Sequence, residues 1–193
     1  MKTGLLFGSF NPVHAGHLHI ARQILNSEDI GEIWFVVSPQ NPFKQDQGLL
    51  PVEDRLAILH RVLDNEPGLR ICEVELDMPK RSYTVDTLRR LHADHPDRSF
   101  VLIIDSDNLP ALHRWKDYET LLQLAAVWIY HRPGYAIVQR DLPPGAHVCE
   151  GVETDVSSTR IREALHTGKS VGSDLPPGLE SWIRNKGYYA GTA

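Results

Sequence analysis

Short apolar runs alternate with stretches of helical period along most of the chain, and this alternation constrains the fold more than any other feature. Residues 5–8 and 33–37 read as buried strands, the second rich in β-branched and aromatic residues. Residues 69–74, 100–104 and 126–130 follow as three more, with 100–104 the most apolar. Between them, Leu18, Ala21, Ile24 and Leu25, then Leu56, Leu59, Val62 and Leu63, then Val85, Leu88 and Leu91 each mark one helix face. Two short helices are expected between Asn108 and Leu124, and a short edge strand around Val148. Two closing helices follow, one after Ser157 that stops near Gly168 and one over Leu179–Asn185 that stops at Gly187. Such an order folds into a mainly parallel sheet with helices on both faces and extra helices at the C-terminus. Ligands of such sheets bind beyond the carboxyl ends of the strands, where the strand order reverses. The loops after the first, second and fourth strands, including the long loop 38–50 with Pro39, Pro42 and Gly48, are therefore where a site is expected.

Composition removes several function classes. A chain of 193 residues, 41% apolar and 23% charged, buries enough surface to fold without a staple. Its two cysteines, Cys72 and Cys149, form no CxxC pair. A net charge of −5 argues against a general nucleic-acid binder but leaves room for a local basic pocket that takes a small anion. No apolar run reaches membrane-spanning length; residues 121–130 are interrupted by Gln123. The apolar stretch at the start is too short for a signal peptide. The expectation is a cytoplasmic globular protein with neither a nucleic-acid nor a membrane partner; a homo-oligomer is compatible with it.

Two nucleotide signatures fail. No two of the 14 glycines are two residues apart, so no GxGxxG exists. Gly168-Lys169-Ser170 ends like a P-loop, but the position five residues before Gly168 is Glu163 and the tripeptide follows a helix. Two other segments hold. Gly8-Ser9-Phe10-Asn11-Pro12-Val13-His14-Ala15-Gly16-His17 lies between strand and helix, with Gly8 allowing close backbone approach and Gly16 tight packing at the helix start. His14 and His17, three apart, sit together where a helix N-terminus attracts anions. Val156-Ser157-Ser158-Thr159-Arg160-Ile161-Arg162 opens a late helix with hydroxyls, free N–H groups and a charged fork. Taken singly, the first is two surface histidines or half a zinc site, and the second a plain N-cap.

Together the segments resemble the HxGH and ISSTxxR signatures of the nucleotidyltransferase superfamily. Within it, nearly the whole chain resembles the bacterial nicotinate-nucleotide adenylyltransferases. Ser38-Pro39-Gln40-Asn41-Pro42-Phe43-Lys44 is similar to that family's second-strand loop, and Ser82-Tyr83-Thr84-Val85-Asp86-Thr87-Leu88 to its SYT(V/I)DTL segment. Trp115, Arg132-Pro133-Gly134 and the ending around Trp182-Ile183 match in kind and order. The resemblance implies a single Rossmann-like α/β domain over residues 1–193. It also implies transfer of the adenylyl group of ATP to nicotinate mononucleotide, giving deamido-NAD and pyrophosphate, with Mg²⁺ carried by ATP and no metal site built from protein ligands.

By the same resemblance, His14 and His17 contact the ATP phosphates, His17 nearest the α-phosphate, with Gly8, Ser9 and Phe10 beside them. Ser157, Ser158, Thr159 and Arg162 hold the β- and γ-phosphates. Lys44 reaches the mononucleotide phosphate, so that His14, His17, Lys44 and Arg162 form the catalytic set. Asn11, Tyr83, Thr84, Asp107, Trp115 and Arg132 complete the acceptor site. There Thr84 offers backbone N–H groups to the pyridine carboxylate, Trp115 stacks on the ring, and Asp107 meets a ribose or else caps a helix. One position departs from the family. Asp105 in Asp105-Ser106-Asp107-Asn108 stands where the family usually has glycine. Its charge would repel a phosphate unless Mg²⁺ or a basic side chain lies between. Read alone, Asp105-x-Asp107 is a metal motif of a glycosyltransferase. Another acceptor, as in phosphopantetheine adenylyltransferase, and a nucleotide-binding regulator without catalysis are the alternatives.

Overall fold

The computed structural model describes residues 1–27, 29–39, 48–79 and 82–190. Six strands, β1 (Lys2–Gly8), β2 (Glu32–Val37), β3 (Leu69–Cys72), β4 (Ser99–Asp105), β5 (Ala125–His131) and β6 (His147–Glu153), form one sheet in the order β3-β2-β1-β4-β5-β6. Every pairing is parallel, so the expected mainly parallel sheet is wholly so among the described residues. The helices are α1 (Ala15–Ser27), α2 (Val52–Leu63), α3 (Thr84–Asp94), α4 (Tyr118–Leu124), α5 (Ser158–His166) and α6 (Leu179–Asn185).

Alternation along the strands builds two apolar layers, because successive side chains leave a strand on opposite faces. Ile33, Phe35 and Val37 of β2, with Val101 and Ile103 of β4, pack with Leu18 and Ile24 of α1, Ile58 of α2, Ile161 of α5 and Ile183 of α6. Trp34 and Val36, with Phe100, Leu102 and Ile104, pack on the opposite face with Val85, Leu88 and Leu91 of α3 and Leu121 of α4. The extra C-terminal helices thus return to the α1 face.

Three local readings change. The third strand ends at Cys72, and Val74–Asp77 winds into a 3-10 turn that buries Glu75. Of the two short helices expected after Asn108, the first is a 3-10 turn, Leu109–Arg114, with Pro110 in its opening turn. Proline is tolerated there because that N–H has no helical partner. The short edge strand around Val148 is a seven-residue strand, β6. No helix among the described residues is long and apolar enough to cross a membrane. The strand order reverses between β1 and β4, the place where parallel sheets open a crevice.

Candidate active site

His14 and His17 form a capping box at the start of α1. His17 N–H donates to His14 Nδ1 at 3.3 Å, and His14 N–H donates to His17 Nδ1 at 3.2 Å. This is the reciprocal pattern usually made by Ser and Glu at the same spacing. The rings stack with centroids 3.7 Å apart. Because both Nδ1 atoms accept, the proton of each neutral imidazole belongs on Nε2, the nitrogen left to meet a ligand. Burial is the main force holding both rings neutral. It takes His14 down to about 3 with help from the Arg132 charge, and keeps His17 well below 6.5 with help from His14 and Arg132. The pair therefore supplies neutral N–H donors.

This has a consequence for stability. An unfolded histidine titrates near 6.5, so between pH 6.5 and 3 the unfolded chain takes up a proton at His14 that the folded chain refuses. Stability is fully present above that window and falls as pH drops through it, by up to about 1.4 kcal/mol per pH unit. Urea unfolding of the parent and of His14→Gln at pH 7, 6, 5 and 4 checks this: the parent should lose stability more steeply, and identical slopes would contradict the assignment.

The surrounding loop explains its own sequence. Phe10 adopts a positive φ of 47°, rare for a bulky residue and sustained only by enclosing structure. Its ring is buried, with its centroid 5.2 Å from those of both Phe35 and His17. A Cβ at position 8 would lie 3.0 Å from that ring, so Gly8 makes room for Phe10 besides lining the cleft. At Gly16 a Cβ would meet Thr154 Oγ1 at 2.5 Å, which bears out the tight packing expected there.

The second motif docks onto the first. Ser157 occupies the N-cap of α5 but makes no side-chain cap, so the plain-cap reading is not realised. Ser158 Oγ instead donates to Pro12 O at 3.1 Å. Arg162 Nη1 donates to Asn11 O at 2.9 Å and Nη2 to Thr159 Oγ1 at 3.3 Å. Two segments about 150 residues apart in sequence are thereby joined at the starts of α1 and α5.

At the end of β4, Arg132 Nη1 bridges Asp105 Oδ2 at 3.0 Å and Asp107 Oδ2 at 2.8 Å, and Asn108 Nδ2 also donates to Asp105. The departure at Asp105 is thus matched by a basic side chain. Asp107 is not a helix cap; Asn108 holds that position and makes no side-chain cap bond. These carboxylates are arranged as partners of an arginine, which fits poorly with a metal cage of the glycosyltransferase type.

A cleft of about 730 Å³ opens beside β1 and β4, lined by Gly8, Ser9, Ser38, Tyr83, Thr84, Asp105, Asn108 and Trp115 among others. The helix α3 starts here with Tyr83 at its N-cap and no side-chain cap. Lys116 Nζ lies 4.6 Å from the Tyr83 ring centroid and 2.7 Å from Asp86 Oδ2. Trp115 is partly buried against the α3–α4 layer and also lines the cleft.

The cytidylyltransferase-like family model matches residues 5–164. A probable nicotinate-nucleotide adenylyltransferase of Bacteroides fragilis is 41% identical over 178 residues, covering 92% of this chain and 89% of the relative. One of Cytophaga hutchinsonii is 38% identical over 98% of this chain and 99% of its own length. The chain belongs to the nicotinate-nucleotide adenylyltransferase family. The fold agrees with that of Plasmodium falciparum nicotinic acid mononucleotide adenylyltransferase complexed with NaAD, with a TM-score of 0.83 at 20% identity over 97% of each chain.

For a nicotinate-nucleotide adenylyltransferase, the expected residues divide into three groups. His14 and His17 pair at the start of α1, the loop before them holds Ser158 and Arg162, and Thr159 and Arg162 also line a second cavity with Gly48, Leu50 and Tyr189. Tyr83, Thr84 and Trp115 line the neighbouring cleft with Gly8 and Ser9. Asn11 differs, because its side chain is committed to the chain itself. Its Nδ2 donates to Gly48 O at 2.9 Å, and its Oδ1 accepts from Leu50 N–H at 3.2 Å and Tyr189 OH at 2.6 Å. Lys44 lies outside the described residues. Sequence reasoning missed Arg55, Tyr189 and Glu75. Arg55 and Glu75 carry no local signal in the sequence, and only burial, at 1% and 3% exposure, sets them apart.

Proposed function

We propose that this protein transfers the adenylyl group of ATP to nicotinate mononucleotide, forming deamido-NAD and releasing pyrophosphate in NAD biosynthesis. The observation that carries this reading is the docking of the Ser158–Arg162 segment on the Asn11–Pro12 carbonyls. It joins the starts of α1 and α5 beside the histidine pair, and the residues Gly8 and Ser9 that precede that pair line a cleft with an uncapped helix start and an indole, which supports a site for two polyanions. The acceptor phosphate is already anionic near neutral pH, so the reaction needs alignment and charge stabilisation more than a base. An acceptor phosphate oxygen attacks the α-phosphorus while the bond to the bridging oxygen breaks and pyrophosphate leaves.

In this reading the Nε2–H of His17, beside that of His14, meets the α-phosphate as charge builds there. Ser157, Ser158, Thr159 and Arg162 hold the β- and γ-phosphates, with Lys44 on the acceptor phosphate. The Thr84 end of α3 faces the pyridine carboxylate, Trp115 stacks on the ring, and Tyr83, Asp107 and Arg132 border the acceptor. Mg²⁺ carried by ATP would neutralise the triphosphate and ease departure of pyrophosphate. The Asp105–Arg132 pairing supports an active enzyme over a regulator, since the carboxylate at 105 is countered within the chain.

Pyrophosphate release with ATP, Mg²⁺ and each acceptor tests this. Nicotinate mononucleotide should exceed its amide by about 10–100-fold in kcat/KM, the worth of hydrogen bonds to a charged group at ~1.5–3 kcal/mol. Turnover with 4′-phosphopantetheine alone, or with no acceptor, would refute the proposal.

A further inference from the structure

The last paired residues of β1 and β2 are Gly8 and Val37, and one more backbone bond, Ser38 N–H to Gly8 O at 2.9 Å, closes the ladder. Beyond it, Ser9 continues toward the histidine pair, and Ser38 lines the cleft. A side chain takes over there. Arg55 of α2 is 1% exposed, and its Nη1 donates to Ser9 O at 2.6 Å and to Ser38 O at 2.9 Å. Its Nη2 donates to Pro39 O at 3.0 Å and its Nε to Leu50 O at 3.1 Å. One guanidinium nitrogen thus serves as the next rung between the two loops, and both residues it joins, Ser9 and Ser38, line the cleft.

The same group reaches the phosphate side. Leu50, whose carbonyl accepts from Arg55, donates its N–H to Asn11 Oδ1, and the Asn11 carbonyl accepts from Arg162. Burying a cation is costly, and here the cost is offset by hydrogen bonds to the carbonyls of Ser9, Ser38, Pro39 and Leu50. The planar fork, which can address several carbonyls at fixed angles, is what an apolar residue or lysine cannot supply.

We propose that Arg55 is a positioning residue for the adenylyl transfer proposed above. It sets the separation between Ser9, after β1 and ahead of the histidine pair, and Ser38 and Pro39, after β2, of which Ser38 lines the cleft. It touches no substrate; it acts through the Ser9, Ser38 and Pro39 carbonyls. Misplacement of reacting groups by about 1 Å costs roughly 10²-fold in rate, so its loss belongs in turnover.

The test compares the parent with Arg55→Lys and Arg55→Gln. Unfolding curves fix the temperature at which each is fully folded, and initial rates are then measured with ATP and nicotinate mononucleotide. The expected result is a kcat per folded molecule about 10–100-fold lower for Arg55→Gln, with each KM changed less than about threefold. Arg55→Lys should remain at least about tenfold down, because it restores the charge and not the fork. Parent-like kcat in the folded variants overturns the inference, as does an effect confined to KM. If neither variant folds where the parent does, Arg55 is a stability residue and the inference fails. A parent without turnover defeats the proposed function itself and takes this inference with it, a result distinct from active parent and active variants.

Discussion

His17→Ala should lower kcat by about 10²–10³-fold while the KM for ATP stays within a few-fold, the signature of a donor that matters most in the transition state. The capping box is the reason. His17 Nδ1 accepts the His14 N–H, and Phe10 and His14 pack against its ring, so its Nε2–H is held in one direction before substrate arrives. Burial keeps the ring neutral, so the donor is present across the physiological range. Alanine also removes one half of the box, and a stability loss of about 1 kcal/mol is expected from the lost cap. Steady-state kinetics on folded protein separates the two effects. A variant with parent-like kcat would remove His17 from the chemistry.

Trp115→Ala should raise the KM for nicotinate mononucleotide by about 5–150-fold, from the ~1–3 kcal/mol of stacking on one heterocycle, and leave the KM for ATP nearly unchanged. The indole follows the 3-10 turn Leu109–Arg114, whose last bond runs from Trp115 N–H to Leu112 O at 3.0 Å, and this places it in the cleft opposite the start of α3. Since it also packs on the α3–α4 layer, some stability is lost as well, and Trp115→Phe should recover most of both. Equal increases in both Michaelis constants would show that the indole supports the whole site and does not read the acceptor.

The strands and the long helices were legible in the sequence because each is written in local periodicity, whereas the two nucleotide motifs were legible through the family resemblance. Apolar alternation placed Ile33 and Val36 on opposite faces of the sheet, and the three-residue spacing of His14 and His17 put them together on one turn. Family resemblance located Trp115 and Thr84, and the structure brought both to the cleft. Asp105 was the misfit in that reading, since its charge could be judged only against neighbours 25 or more residues away. The structure supplies one in Arg132, 27 residues on. Asn11 was expected to meet the acceptor, but its side chain is engaged by Gly48, Leu50 and Tyr189.

Local sequence by itself determined the parallel α/β architecture and the kind of groups offered to a polyanion, because hydrophobic period and helix-start chemistry act over a few residues. Tertiary structure alone decided which carbonyls Arg162 and Arg55 grip, which carboxylates Arg132 neutralises, and that both histidines stay uncharged. The physical reason is the same in each case. A polar side chain acquires its protonation state and its partners from burial and from groups distant in sequence, and helical periodicity, which tracks apolar surface, carries no record of where a buried cation points.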